Sequence, residues 1–193
     1  FVGAGSIMEK EALQTLSNPA MKPPPSQIYA AAKLAAHQIA QAVAAEEDLR
    51  FLWPVITNLY GEGERSTRFL VATLRRMLEG EPIAFTAATQ NYDFLHVSDG
   101  AAAFRLLGER GQPGRPYVVG SGEARPLREY LREMRRATGY APPLELGAAD
   151  FAGISLPLSA FDTGCLFADT GFVPAVPFPK GLERTLGWLR AFT

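Results

Sequence analysis

Ser26-Gln27-Ile28-Tyr29-Ala30-Ala31-Ala32-Lys33 puts a tyrosine and a lysine four residues apart at the head of an alanine-rich run. Pro23 to Pro25 stop any earlier helix, and Ser26 is a good N-cap, so the pattern predicts a helix over 26–48. Residues four apart share a helix face. Tyr29 and Lys33 therefore point the same way, near the positive end of the helix. A free phenol is a poor base at neutral pH. A neighbouring ammonium and a helix N-terminus both favour the phenolate, and that combination suits a tyrosine for proton transfer. An ordinary surface helix can carry the same pair, so the flanking sequence has to separate the two readings.

Upstream, Phe1-Val2-Gly3-Ala4-Gly5-Ser6 reads as the end of a buried strand with a serine at its exit. Downstream, Phe51-Leu52-Trp53-Pro54-Val55-Ile56 is a near-continuous apolar run, as in a parallel strand covered on both faces. The turn Thr57-Asn58-Leu59-Tyr60-Gly61-Glu62-Gly63 follows it. Three more pieces come later: Asp93-Phe94-Leu95-His96-Val97-Ser98-Asp99, Tyr117-Val118-Val119-Gly120-Ser121-Gly122-Glu123 and Asp169-Thr170-Gly171-Phe172-Val173-Pro174. Taken in order, these pieces resemble the extended short-chain dehydrogenase/reductase family, in its NAD-dependent nucleotide-sugar epimerase/dehydratase branch. The resemblance covers nearly the whole chain.

The resemblance implies an α/β fold: the C-terminal part of a Rossmann-type doubly wound parallel sheet plus a small α/β substrate-binding lobe. Residues 1–62 would belong to the cofactor-binding domain and 63–193 to the substrate lobe, with 92–108 packing back on the first domain. The cofactor would be NAD or NADP. Ser6, Tyr29 and Lys33 would be the catalytic set. Tyr29 would exchange a proton with a sugar hydroxyl, Lys33 would hold the cofactor ribose, and Ser6 would hydrogen-bond the same hydroxyl. Backbone near Ile56 would face the nicotinamide, and Asn58 would touch the substrate.

The resemblance also bears on the subtype. The family's 4,6-dehydratases follow the strand-end residue with Asp-Glu, whereas Ile7-Met8 stand here and cannot transfer a proton. Glu9 is close, but at the wrong offset. A 4-epimerase or 4-keto-sugar reductase is therefore expected. Family members often have arginine ahead of Asp-Phe, on the substrate diphosphate; here the residue is Tyr92. No Arg or Lys lies between Leu144 and Asp169. Arg–phosphate pairs are strong contacts, so Arg65 or Arg68 would have to serve, or the substrate is not an ordinary nucleotide-sugar.

The Gly-rich turn and early strands of the cofactor domain do not appear in the 193 residues. The expectation is a longer molecule, with these residues alone binding NAD(P) negligibly and turning over nothing. The alternative is a non-catalytic remnant of the fold that serves as a binding or assembly module. Two Gly-x-Gly pairs, at Gly3 and Gly120, are read as turns, because neither has the third glycine of a dinucleotide fingerprint.

The helix at 26–48 carries Ile28, Ala32, Ala35, Ile39 and Val43 as one apolar stripe, and the expected assembly is a homodimer through it. A net charge of −1 argues against nucleic acid as a partner. Cys165 is the sole cysteine, so no internal disulfide can form, which suits a cytoplasmic protein. No apolar run approaches the length of a membrane span. His37 and His96 are too scattered to make a metal site with Cys165; His37 is expected to be exposed and His96 structural. Residues 9–25 are expected to form a loop. Further helices are expected over 64–78, from Ser98 or Asp99 to about 107, from Pro126 to Gly139, over 161–168 and over 181–191, with short strands at 83–85, 92–97 and 117–119.

Overall fold

A computed structural model describes residues 1–18 and 27–192. Ser26 and the proline cluster before it lie outside the described residues. The order of elements is β1 (Gly5–Ser6), α1 (Met8–Ser17), α2 (Gln27–Glu46), β2 (Val55–Ile56), β3 (Asn58–Tyr60), α3 (Phe69–Glu79), β4 (Ala84–Phe85), β5 (Asn91–Tyr92), β6 (Phe94–His96), α4 (Val97–Arg110), β7 (Val118–Val119), β8 (Arg125–Pro126), α5 (Leu127–Thr138), β9 (Glu145–Leu146), a 3₁₀ turn at Leu158–Phe161, α6 (Gly164–Thr170) and α7 (Phe178–Phe192).

β1, β2 and β7 form a parallel sheet in that order, with Gly5 opposite Val55 and Val55 opposite Val118. A Val2–Leu52 bridge extends the pairing upstream. β3 continues from β2 and pairs in parallel with β6. Alternate residues of a strand face opposite sides, and the sheet follows this rule. Leu52, Tyr117 and Val119 pack with Leu107 of α4 and Leu166 of α6. On the opposite side, the Trp53 indole lies across Gly3, just ahead of β1, and Gly5 within it: a Cβ at either would collide with the ring. The pair at Gly3 and Gly5 therefore serves packing. A second core joins α3, α5 and α7 through Leu74, Met77, Tyr130, Leu131, Leu182 and Leu186.

Several boundaries differ from the sequence expectations. The loop expected at 9–25 contains helix α1. Ser6 and Glu9 form a reciprocal cap: Ser6 Oγ accepts from the Met8 N–H at 3.3 Å, and Glu9 Oε1 accepts from the Ser6 N–H at 2.7 Å. This Ser-x-x-Glu capping box starts the helix. α3 begins at Phe69 rather than 64. The expected strand at 92–97 is two strands separated at Asp93. α4 is capped by His96, whose Nδ1 accepts from the Ser98 N–H. The helix expected over 161–168 is a 3₁₀ turn followed by α6. Gly139 closes α5 in the left-handed conformation at φ 73°, as a terminal glycine does.

The stripe on α2 faces outward. Ile28, Ile39 and Val43 are 73%, 65% and 50% exposed, whereas Gln27, Ala30 and Ala44 are buried. The helix docks through small residues, which permit close approach, and its larger apolar side chains are left on the surface.

Candidate functional site

The C-terminal ends of β1 and β2 open into a cavity of about 450 Å³. Ser6, Tyr29, Ile56, Asn58 and Arg68 all line it. The parallel register places Ser6 beside Ile56. Tyr29 comes from the first turn of α2, and Arg68 from the residue preceding α3. Apolar walls come from Leu59, Phe69 and Phe94. Tyr92 stacks on Phe94, with centroids 5.6 Å apart.

Lys33 and Arg65 stand differently. Lys33 Nζ donates to the Ala4 carbonyl at 2.9 Å and is not among the lining residues. Arg65 is exposed and lines none of the cavity. Phe69 is 36% exposed at the cavity wall. Asn58 is held by β6: its Nδ2 and backbone N–H both donate to the Asp93 carbonyl at 3.1 Å. The Asp93 carboxyl is fully buried and accepts from Ser121 N–H and Oγ–H. Burial pushes its pKa up, and the bonds from Ser121 partly offset that rise.

Beneath the cavity lies a network the sequence reading missed. Glu9 is 3% exposed. Its carboxyl accepts from the Ser6 N–H and from Trp53 Nε1–H at 3.1 Å, and it pairs with His37 Nδ1 at 3.1 Å. His37 stacks on Trp53 at 4.9 Å and 11°; it is half-buried, not exposed as expected. Glu9 thus ties β1, β2 and α2 together at one point. The signal was present as the capping spacing Ser6-x-x-Glu9 ahead of Ala12, Leu13 and Leu16 at helical spacing. His96 is the structural residue expected: it is buried, with Nδ1 on Ser98 Oγ and Nε2 on Glu62, both at 2.8 Å. Among the described residues there is no group of His, Cys, Asp and Glu that could hold a metal ion, and no helix is long and apolar enough to cross a membrane.

Residues 1–120 match the model of the NAD dependent epimerase/dehydratase family. The chain belongs to that family. It is 27% identical over 168 residues to dTDP-glucose 4,6-dehydratase of Mycobacterium tuberculosis, covering 86% of this chain and 50% of the relative. It is 27% identical over 202 residues to GDP-L-fucose synthase 1 of Arabidopsis thaliana, covering 97% of this chain and 62% of the relative. The chain thus spans about half to three-fifths of the length of these curated relatives. The fold is that of UDP-glucose 4-epimerase from Thermotoga maritima (TM-score 0.80, 20% identity, 100% of this chain and 63% of that one). It is also similar to MoeE5, solved in complex with UDP-glucuronic acid and NAD (TM-score 0.78, 27% identity, 100% and 65%). The Rossmann-like α/β class and the NAD(P) cofactor of the family accord with the sequence reading.

Proposed function

We propose that this chain carries the reacting face of an NAD(P)-dependent nucleotide-sugar epimerase or 4-keto-sugar reductase. The supporting observation is the convergence of Ser6, Tyr29, Ile56, Asn58 and Arg68 on one cavity at the C-terminal ends of parallel strands. Ligands of open α/β sheets bind at such ends. The residues fit the nicotinamide end of the cofactor: Tyr29, Lys33 and backbone near Ile56 would hold it. When bound, the nicotinamide supplies hydride acceptance and return.

Tyr29 moves the proton at the reacting hydroxyl. Ser6 hydrogen-bonds the same oxygen, with its own backbone N–H held by Glu9. Lys33, one helical turn beyond Tyr29, would hold the ribose on leaving its bond to the Ala4 carbonyl. Asn58 binds substrate from a backbone fixed by Asp93. Arg68 faces the one phosphate that these residues can pair. Ile7 and Met8 line the cavity beside Ser6 and cannot exchange protons, which favours epimerase or reductase over 4,6-dehydratase. To test this, the full-length protein would be incubated with UDP-, dTDP- and GDP-hexoses and their 4-keto forms. Interconversion without net NADH identifies an epimerase, and stoichiometric NAD(P)H consumption a reductase. Loss of water from the sugar, or no reaction, overturns the reading.

The exposed Ile28, Ile39 and Val43 support a homodimer packed through α2; isologous dimers are the commonest oligomers. Light scattering at micromolar concentration should give twice the monomer mass, and Ile39→Glu should return it to the monomer value. A monomer in the wild type would contradict this.

A further inference from the structure

A smaller cavity of about 210 Å³ adjoins the first and shares Ile7, Met8, Asn58 and Tyr92 with it. Its additional polar walls are Glu11 and Asn91, and its apolar walls include Phe151, Ile154 and Phe161. Glu11 lies one turn beyond Ile7 on the capped helix, so it faces the same side. Its carboxyl accepts from Gln27 Nε2 at 3.3 Å. Gln27 lines neither cavity; it is 5% exposed and holds the carboxyl from behind. No Lys or Arg lines this cavity among the described residues, and Arg68 is the one cation of its neighbour.

A carboxyl and side-chain amides accept and donate to hydroxyls, while aromatic rings cover the C–H face of a sugar. The set suits a polyhydroxyl ring without charge. A second carboxylate here would share a half-buried space with Glu11 and meet no cation. Burial alone already pushes the Glu11 pKa up, against a weaker opposing bond from Gln27. Two carboxyls in one such site cannot both ionise freely.

Resting on the function proposed above, we infer that Glu11 selects substrate by charge: with the reacting carbon at Ser6 and Tyr29 in the first cavity, the neighbouring exocyclic carbon of the hexose reaches this adjoining pocket, which takes a neutral hydroxymethyl or methyl group and rejects the carboxylate of a hexuronate. Like-charge juxtaposition in a binding site is strongly discriminating, so the full-length protein should bind the neutral member of a pair roughly 30-fold tighter. Calorimetric titrations with UDP-glucose against UDP-glucuronate, and GDP-mannose against GDP-mannuronate, measure this ratio. Glu11→Gln keeps the side-chain length and removes the charge; the ratio should fall about tenfold, chiefly through tighter hexuronate binding. If that variant does not fold, the wild-type ratio alone decides. Wild-type preference for the hexuronate, a ratio unmoved by Glu11→Gln, or no binding of either neutral sugar would overturn the inference. Failure of the proposed function would look different: no hydride transfer with any sugar, whichever ring binds.

Discussion

In the complete enzyme, Tyr29→Phe is expected to lower kcat by roughly two to four decades, the usual contribution of a general acid–base group. The change removes one oxygen from a side chain that is 47% exposed at the mouth of the cavity. No packed core is disturbed, so the melting temperature should stay within the small range of a surface substitution. KM for the sugar should change far less than kcat, because the role proposed for Tyr29 is to move the proton in the transition state. Wild-type turnover by the variant would remove Tyr29 from the mechanism.

Glu9→Ala is expected to have the largest effect on stability. It strips the acceptor from two buried or part-buried donors, Trp53 Nε1–H and the Ser6 N–H that is Glu9's half of the reciprocal cap of α1, at about 1–3 kcal/mol each. The sum, discounted for relaxation, is about 3 kcal/mol, or a fall of roughly 6–12 °C in melting temperature for a domain of this size. Glu9→Gln keeps one oxygen for the Ser6 N–H and should lose less than half as much. Both variants should also lower kcat, because Ser6 hangs on this bond while His37 ties α2, with Tyr29 and Lys33, to the same carboxyl. Thermal melts and initial rates at 25 °C, where both variants remain folded, separate the two effects. An unchanged melting temperature in Glu9→Ala would show that the network carries no load.

These two residues mark what the sequence revealed and what it concealed. The Tyr29–Lys33 spacing, the apolar run ending at Ile56 and the glycine turns are local signals with fixed periods, so the parallel sheet and its cavity could be anticipated. Ser6, Ile56 and Asn58 were named from the family resemblance, and all three line the cavity at the strand ends. Glu9 was set aside by its offset from Ser6, although that same offset is the capping box that makes residues 8–17 helical. Once the segment is a helix, Glu9 turns under the sheet and Glu11 turns toward the smaller cavity. Neither direction can be read while the segment is taken as a loop. Arg65 and Arg68 differ for a similar reason: α3 starts at Phe69, so Arg68 sits at its entrance over the cavity and Arg65 lies in the preceding turn, facing solvent. The stripe on α2 had the right period for a helix, but periodicity cannot tell a face that meets its own core from one that waits for another surface.

Label transfer tests the central claim most directly. The full-length protein would be given NAD(P)⁺ and a nucleotide-hexose deuterated at the carbinol carbon, and cofactor and sugar recovered for mass spectrometry. If Ser6, Tyr29 and Lys33 serve hydride transfer, a reductase run in the oxidative direction leaves deuterium in the nicotinamide ring, an epimerase returns it so that the inverted sugar keeps it at the same carbon, and Tyr29→Phe slows either transfer by at least a hundredfold. A product sugar whose deuterium has been lost to solvent, or transfer at the wild-type rate in Tyr29→Phe, would contradict the account.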